Sequence, residues 1–346
     1  MTRPTIRLGD TGFHVTTVQT CLQLTPIDGD FGSITENGVK AYQHDCRLTA
    51  DGVVGPQTWE QLEKDFNLPP WPPANLPPID DTLIGQICQI AMDSAIAVYS
   101  WEGRGYAPPG YTKGMAVAFS TVVRKWMTND SSALEMAKAN THDSDVDALS
   151  WYAGYFSDYH MDNSKDGLDT LRHLFVLQMG LGMRESSGQY CCGRDMSATN
   201  VESDTAEAGL FQMSWNASNS SDEMDKLMQE YASQPPQCAL KIFEDGVSCS
   251  SSDWSCYGSG DGYEYQELAK HCPQFAVETT AIGLRNIRQH WGPINRYEVE
   301  IRSEADEMFK QVQDLVTSNV PVAGTSADVK IAKSGDVGVT VNKKPV

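Results

Sequence analysis

The chain has 346 residues, 40% of them hydrophobic, which is enough for two or three domains with cores of their own. Its formal net charge is -20. That excludes the basic stripes that nucleic-acid backbones require, and it disfavours docking on anionic lipid. The most apolar stretch, residues 83–101, carries Gln86, Gln89 and Asp93 and is too polar for a membrane span. The opening MTRPTIRLGD has no apolar export segment. The expectation is a soluble monomer that is cytosolic, released by lysis, or exported by another route.

The N-terminal unit contains a repeat. DGDFGSIT (28–35) recurs as DGVVGPQT (51–58), with the same Asp-Gly, the same later glycine and the same threonine. Each copy reads as a turn leading into a helix, with Ser33 or Thr35 and Pro56 suited to helix N-termini. Val39, Tyr42 and Cys46, like Trp59, Leu62 and Phe66, recur at helical spacing and predict one apolar face per helix. A preceding helix, VTTVQTCLQL (15–24), completes a three-helix unit. Residues 66–79, FNLPPWPPANLPPI, hold six prolines and predict an extended linker.

Beyond the linker, helical periodicity dominates. The spacing predicts helices over 80–100, 114–128, 131–139, 145–160, 167–185, 209–215, 221–232, 262–271, 275–290 and 298–317. The Ser-, Asp-, Gly- and Cys-rich segments 187–208 and 244–261 predict loops, and the polar tail 318–346 an appendage. The fold class is therefore mainly α, with domains at 1–66 and 80–317 on either side of a linker at 67–79. The nine cysteines show no CxxC pair, so paired zinc-ligand spacing is missing and no metal or cofactor is expected. Disulfides formed after release, or buried thiols, remain as alternatives, with no connectivity deducible. A bridge within 238–272 would clip that loop behind the site.

One carboxylate stands out. The helix 167–185 is apolar over most of its length and stops at Glu185, followed by Ser186, Ser187 and Gly188, the last a candidate C-cap. A carboxyl there lies at the negative end of the helix dipole, against a buried helix. Both effects favour the protonated form. A glutamic acid with a raised pKa is the group that protonates a glycosidic oxygen. Then follows DTAEAGLFQMSWN (204–216), where Gln212 offers an amide for a sugar N-acetyl group or for the acid.

Two resemblances rest on these residues. GDTGFHVTTVQTCLQL, DGDFGSITENGVKAYQ and DGVVGPQTWEQL closely resemble the peptidoglycan-binding domain type 1 family over 5–66. That implies a three-helix module that docks its partner, bacterial peptidoglycan. RESSG and AGLFQ together resemble the catalytic core of goose-type lysozymes and soluble lytic transglycosylases, over roughly 165–295. This second resemblance implies Glu185 as general acid, Ser186 as its neighbour, and Gly209, Leu210 and Gln212 as a cleft motif. An inverting hydrolase needs a second carboxylate. The loop 195–207 offers Asp195, Glu202, Asp204 and Glu207; Asp204 is preferred by its distance from Gly209, with Glu207 second. The segment IRQHWGPINRYE (287–298) matches the family's later element only loosely. Trp215, Trp291 and Tyr297 are the aromatic candidates for sugar contact, and His173 and His290 are expected to be ordinary helix residues.

The implied activity is a bacteriolytic muramidase of endolysin type, cutting the β-1,4 bond between N-acetylmuramic acid and N-acetylglucosamine. The alternatives are a lytic transglycosylase forming 1,6-anhydro products, and a non-catalytic wall-binding or virion structural protein. A zinc peptidase is disfavoured by the scattered histidines. A Cys-His amidase would need Cys191 or Cys192 as nucleophile.

Overall fold

The computed structural model describes residues 3–66, 68, 76, 79–194, 202–233 and 238–319. Most of the proline-rich linker, Asp195 and nearly all of the expected tail lie outside the described residues. The chain divides into two units, one within residues 1–76 and the other within 77–318.

The first unit holds α1 (Phe13–Cys21), α2 (Ser33–Asp45) and α3 (Pro56–Phe66) around a core of Val15, Val18, Phe31, Val39, Tyr42, Trp59 and Leu62. The two repeats fold alike because each is tied to the preceding helix by one buried glutamine. Gln19 donates through Nε2 to Asp28 Oδ1 (2.7 Å), the Asp30 carbonyl (3.0 Å) and Thr35 Oγ1 (3.1 Å), while its Oε1 accepts from the Gly29 amide (2.9 Å). Gln43 repeats the set one unit later, on Asp51 (3.0 Å), Val53 (2.9 Å), Thr58 (3.1 Å) and the Gly52 amide (2.9 Å). The aspartate, glycine and threonine of each repeat are thus the partners of one amide side chain. Short bridges, Ile6 to Val54 and Thr11 to Asp30, close the loops.

The second unit is built from α4 (Asp81–Asp93), α5 (Pro109–Met127), α6 (Ser131–Met136), α7 (Ala148–Trp151), α8 (Ala153–Asp158), α9 (Leu168–Ser186), α10 (Asp222–Ser233), α11 (Leu240–Phe243), α12 (Asp261–His271), α13 (Pro273–Asn286), α14 (Gly292–Asn295) and α15 (Ser303–Ser318). The hairpin β1 (Ser100–Trp101) and β2 (Gly105–Tyr106) is the one sheet among the described residues. Helix α9 is its axis, packed by α5, α13, α14 and α15. Every residue from Thr170 to Met183 is buried, as a helix with no polar face must be. Two of its polar side chains donate across the interior: Arg172 to Asp306 (2.6 Å) and the Gln178 amide nitrogen to the Val277 carbonyl (2.6 Å).

Several expected helices are shorter or absent. The helix expected over 80–100 ends at Asp93, and the chain passes through a 3-10 turn into the hairpin, whose Gly103 and Gly105 take positive φ. The span 145–160 is two short helices, α7 and α8, separated at Tyr152. Helix α13 stops at Asn286, short of residue 290. Residues 209–215 do not form a helix: Gly209 and Gln212 have φ of +73° and +46°, and Ala208 bridges Met213 across a reverse loop.

Replacing Gln43 by alanine strips partners from a buried turn. A stability loss of about 1–3 kcal/mol in the first unit is expected, read in the full chain as lost hydrogen-exchange protection of the Gly52 amide. Protection equal to wild type would refute the glutamine's role.

Candidate active site

Helix α9 ends in the left-handed conformation at Ser187, φ +54°, one residue before the glycine expected to cap it. The Ser187 and Gly188 amides return to the carbonyls of Met183 (3.1 Å) and Gly182 (3.2 Å). This closure satisfies helix-end carbonyls and turns the chain sharply. Gly188 is needed as well: its φ is +77°, and a Cβ would lie 2.8 Å from the Tyr111 ring.

Glu185, in the last turn, is partly buried, and its carboxyl pKa is pushed up to about 7. The largest cause is desolvation; the next is the negative charge of Glu207. Arg104 and Arg296 act against both, and Glu298 adds to the rise. Arg104 reaches over from the β-hairpin and donates to the free carbonyl of Arg184. Arg296 is held by Glu298 at 2.8 Å. The result is an acid that keeps its proton to near neutrality although two guanidinium groups are near.

The loop after Glu207 is held by three side chains on three successive carbonyls. Gln212 Nε2 donates to the Gly209 carbonyl (3.0 Å), Ser186 Oγ to that of Leu210 (2.7 Å), and Trp291 Nε1 to that of Phe211 (2.9 Å). The Gly209 amide donates to the Cys192 carbonyl at 2.8 Å. A Cβ on Gly209 would lie 2.9 Å from the Ala269 carbonyl, so only glycine fits. Cys191 is in turn joined to Cys249 by a disulfide, and a second bridge links Cys238 and Cys272. The RESSG and AGLFQ segments are therefore one hydrogen-bonded assembly, which brings Glu207 close enough to shift Glu185.

Several expected roles change. Ser186 and Trp291 are buried, and their donors go to the carbonyls of the loop. The Gln212 amide nitrogen is also spent on backbone carbonyls. Trp215 is buried and stacks on Tyr265, ring centroids 5.6 Å apart. Asp204 is exposed, and its Oδ1 accepts from the Gly262 amide (3.1 Å) at the start of α12. Glu207 is the leading charge acting on Glu185. Tyr297 stays at the surface, 39% exposed. His173 is buried and His290 half-buried, and desolvation pulls both pKa values down to about 4.

The amidase alternative loses its nucleophile, since Cys191 is in a disulfide and burial pushes the Cys192 thiol up. Among the described residues no group of three or more His, Cys, Asp or Glu is placed to hold a metal. Among them, too, no helix is long and apolar enough to cross a membrane.

Comparison with known proteins bears on the first unit. Residues 15–62 match the family described as "Putative peptidoglycan binding domain", which places this three-helix unit among peptidoglycan-binding domains. A solved structure titled "Crystal structure of Burkholderia AP3 phage endolysin" is 17% identical, covering 91% of this chain and 100% of that one. Its TM-score is 0.18, too low to establish a common fold.

The raised pKa fixes the sign of a pH effect on stability. Glu185 ionises near its ordinary value when unfolded and only at about 7 when folded. Its contribution is complete below pH 4 to 5 and is lost as pH rises through 7. Glu185→Gln should match wild-type stability at pH 4 and exceed it at pH 8 by about 2–3 kcal/mol. Urea unfolding at the two pH values checks this; equal stability at both would place Glu185 in water.

Proposed function

We propose that this protein is a cell-wall muramidase that hydrolyses the β-1,4 bond between N-acetylmuramic acid and N-acetylglucosamine. The carrying observation is Glu185, a carboxylic acid at the end of a buried helix, protonated to about pH 7 and facing the charge of a second carboxylate, Glu207. A carboxyl that keeps its proton to near neutrality, under the charge of a second carboxylate, supplies a proton donor and a candidate base. Glu185 delivers its proton to the leaving glycosidic oxygen as the C–O bond breaks. Glu207 draws a proton from the attacking water, which forms the new bond at the sugar's anomeric carbon. Glu207 takes the role first expected of Asp204 because its charge is the leading one on Glu185. The wall-binding unit supports peptidoglycan as substrate. By tethering the second unit to the wall it raises the local concentration of glycan strands.

The test is digestion of purified peptidoglycan with products read by mass spectrometry. Wild type should release muramic acid reducing ends, and Glu185→Gln should lose activity by about 100-fold or more. Products lighter by one water would make the enzyme a transglycosylase. Freed peptides, or full activity in Glu185→Gln, would end the glycosidase reading.

The pH profile carries a second prediction. Activity in wild type should fall above about pH 7, as Glu185 loses its proton. Glu207→Gln removes a negative neighbour, so any residual activity should fall off at lower pH. An unshifted alkaline limb would mean that Glu207 is not electrostatically coupled to the acid.

A further inference from the structure

Beside Glu185 lies a second feature that the acid–base chemistry does not use. A cavity of about 430 Å³ is lined by Tyr155, Tyr159, Tyr297, Arg184, Glu298 and Arg302, among others. This is within the range of small-molecule sites, roughly 300–1,000 Å³. It reaches the catalytic centre through Arg184, the residue before Glu185, and through Glu298, whose charge acts on Glu185.

Its wall is a ladder of stacked rings. The Arg288 guanidinium lies 3.8 Å from the centroid of Trp151, and Tyr297 stacks on Trp151 at 4.6 Å with planes 10° apart. Tyr155 stacks on Tyr297 at 5.5 Å and 30°. The inner part is fixed: Arg288 is buried and Trp151 Nε1 donates to the Ile294 carbonyl at 3.0 Å. The outer part is open: Tyr155, Tyr159 and Tyr297 are 44%, 40% and 39% exposed. Tyr297 keeps its place although its φ is +55°, a conformation that bulky side chains rarely adopt. Strain of that kind is retained where the surroundings hold it, and it clusters at functional sites.

The charges around the rings are largely paired among themselves. Glu298 holds Arg296 (2.8 Å) and Arg184 (3.5 Å), and Arg302 holds Glu304 (2.8 Å). The carboxylate of Glu300 accepts from the Tyr99 hydroxyl (2.6 Å) and the Glu102 amide (2.8 Å). Glu102 and Glu300, also in the lining, have no ion-pair partner among the described residues, so the rim is mildly acidic and disfavours an anionic ligand. The cavity offers flat apolar faces and fixed polar groups, which suit a neutral ring bearing hydroxyl and amide groups.

We propose that this cavity is a saccharide subsite, and that Tyr155, the outer rung of the ladder that Tyr297 supports, stacks on an amino-sugar ring of the strand outside the scissile pair. The proposal rests on the muramidase reading for its substrate class. Its test is separable: full-length protein is titrated calorimetrically with a hexamer of β-1,4-linked N-acetylglucosamine, and digestion of peptidoglycan is followed in parallel. Tyr155→Ala should bind the hexamer about tenfold more weakly than wild type, and Tyr155→Phe should restore binding because it keeps the ring. Any binding by the N-terminal unit is common to all three proteins. Equal affinity in wild type and Tyr155→Ala, or no binding by wild type, overturns the subsite. Tenfold weaker binding in Tyr155→Ala, recovered in Tyr155→Phe, supports it even if no protein cleaves peptidoglycan, in which case the muramidase reading fails alone. Cleavage with unaltered hexamer affinity in Tyr155→Ala has the opposite meaning.

Discussion

The arrangement of the second unit depends on one constraint: a helix buried on all sides has to end in a carboxyl group. Desolvation extends to the last turn of α9, where it keeps Glu185 protonated up to about pH 7. Desolvation of a carboxyl costs free energy unless the group stays neutral. The helix end, the second carboxylate and the two opposing arginines set how neutral it stays. Core and site are thus continuous: the packing that stabilises the unit also tunes the acid.

The motif residues around Glu185 work mostly on the backbone. Ser186, Gln212 and Trp291 each hold one carbonyl of the Gly209–Leu210–Phe211 turn. A turn with three adjacent carbonyls pointing at donors has little freedom left, and buried carbonyls left without donors would be costly. The disulfide from Cys191 to Cys249 anchors the chain that receives the Gly209 amide. These contacts hold the segment that carries Glu207, whose charge acts on the acid. Asp204, three residues earlier than Glu207, accepts from the Gly262 amide at the start of α12.

Legibility in the sequence followed the kind of interaction. Apolar periodicity gave the long helices, and α9 and α15 fall within a few residues of their expected bounds, because burial of a face leaves a regular trace. The repeat gave the three-helix unit, but not Gln19 and Gln43. A faint signal existed, since each glutamine precedes its Asp-Gly by a similar interval, 9 and 8 residues. Glu185 was legible from its position at the end of an apolar run. The roles of Ser186 and Trp291 were not, because a hydroxyl or indole that faces a carbonyl looks the same in sequence as one that faces a sugar. Residues 209–215 read as helix because the apolar run Gly-Leu-Phe is ambiguous when short; the positive φ at Gln212 belongs to a non-glycine residue and leaves no local mark. Tyr155 was hidden inside an expected single helix that the structure divides at Tyr152.

The central claim is that Glu185 is protonated near neutrality because it is desolvated and faces Glu207. The direct measurement is a carboxyl-carbon NMR titration of the full-length protein, with Glu185 assigned by its loss in Glu185→Gln. The account predicts a midpoint near pH 7 for Glu185, moving down when Glu207 is replaced by glutamine. A midpoint in the ordinary glutamate range, about 4.3, would contradict it and leave the end of α9 without its acid.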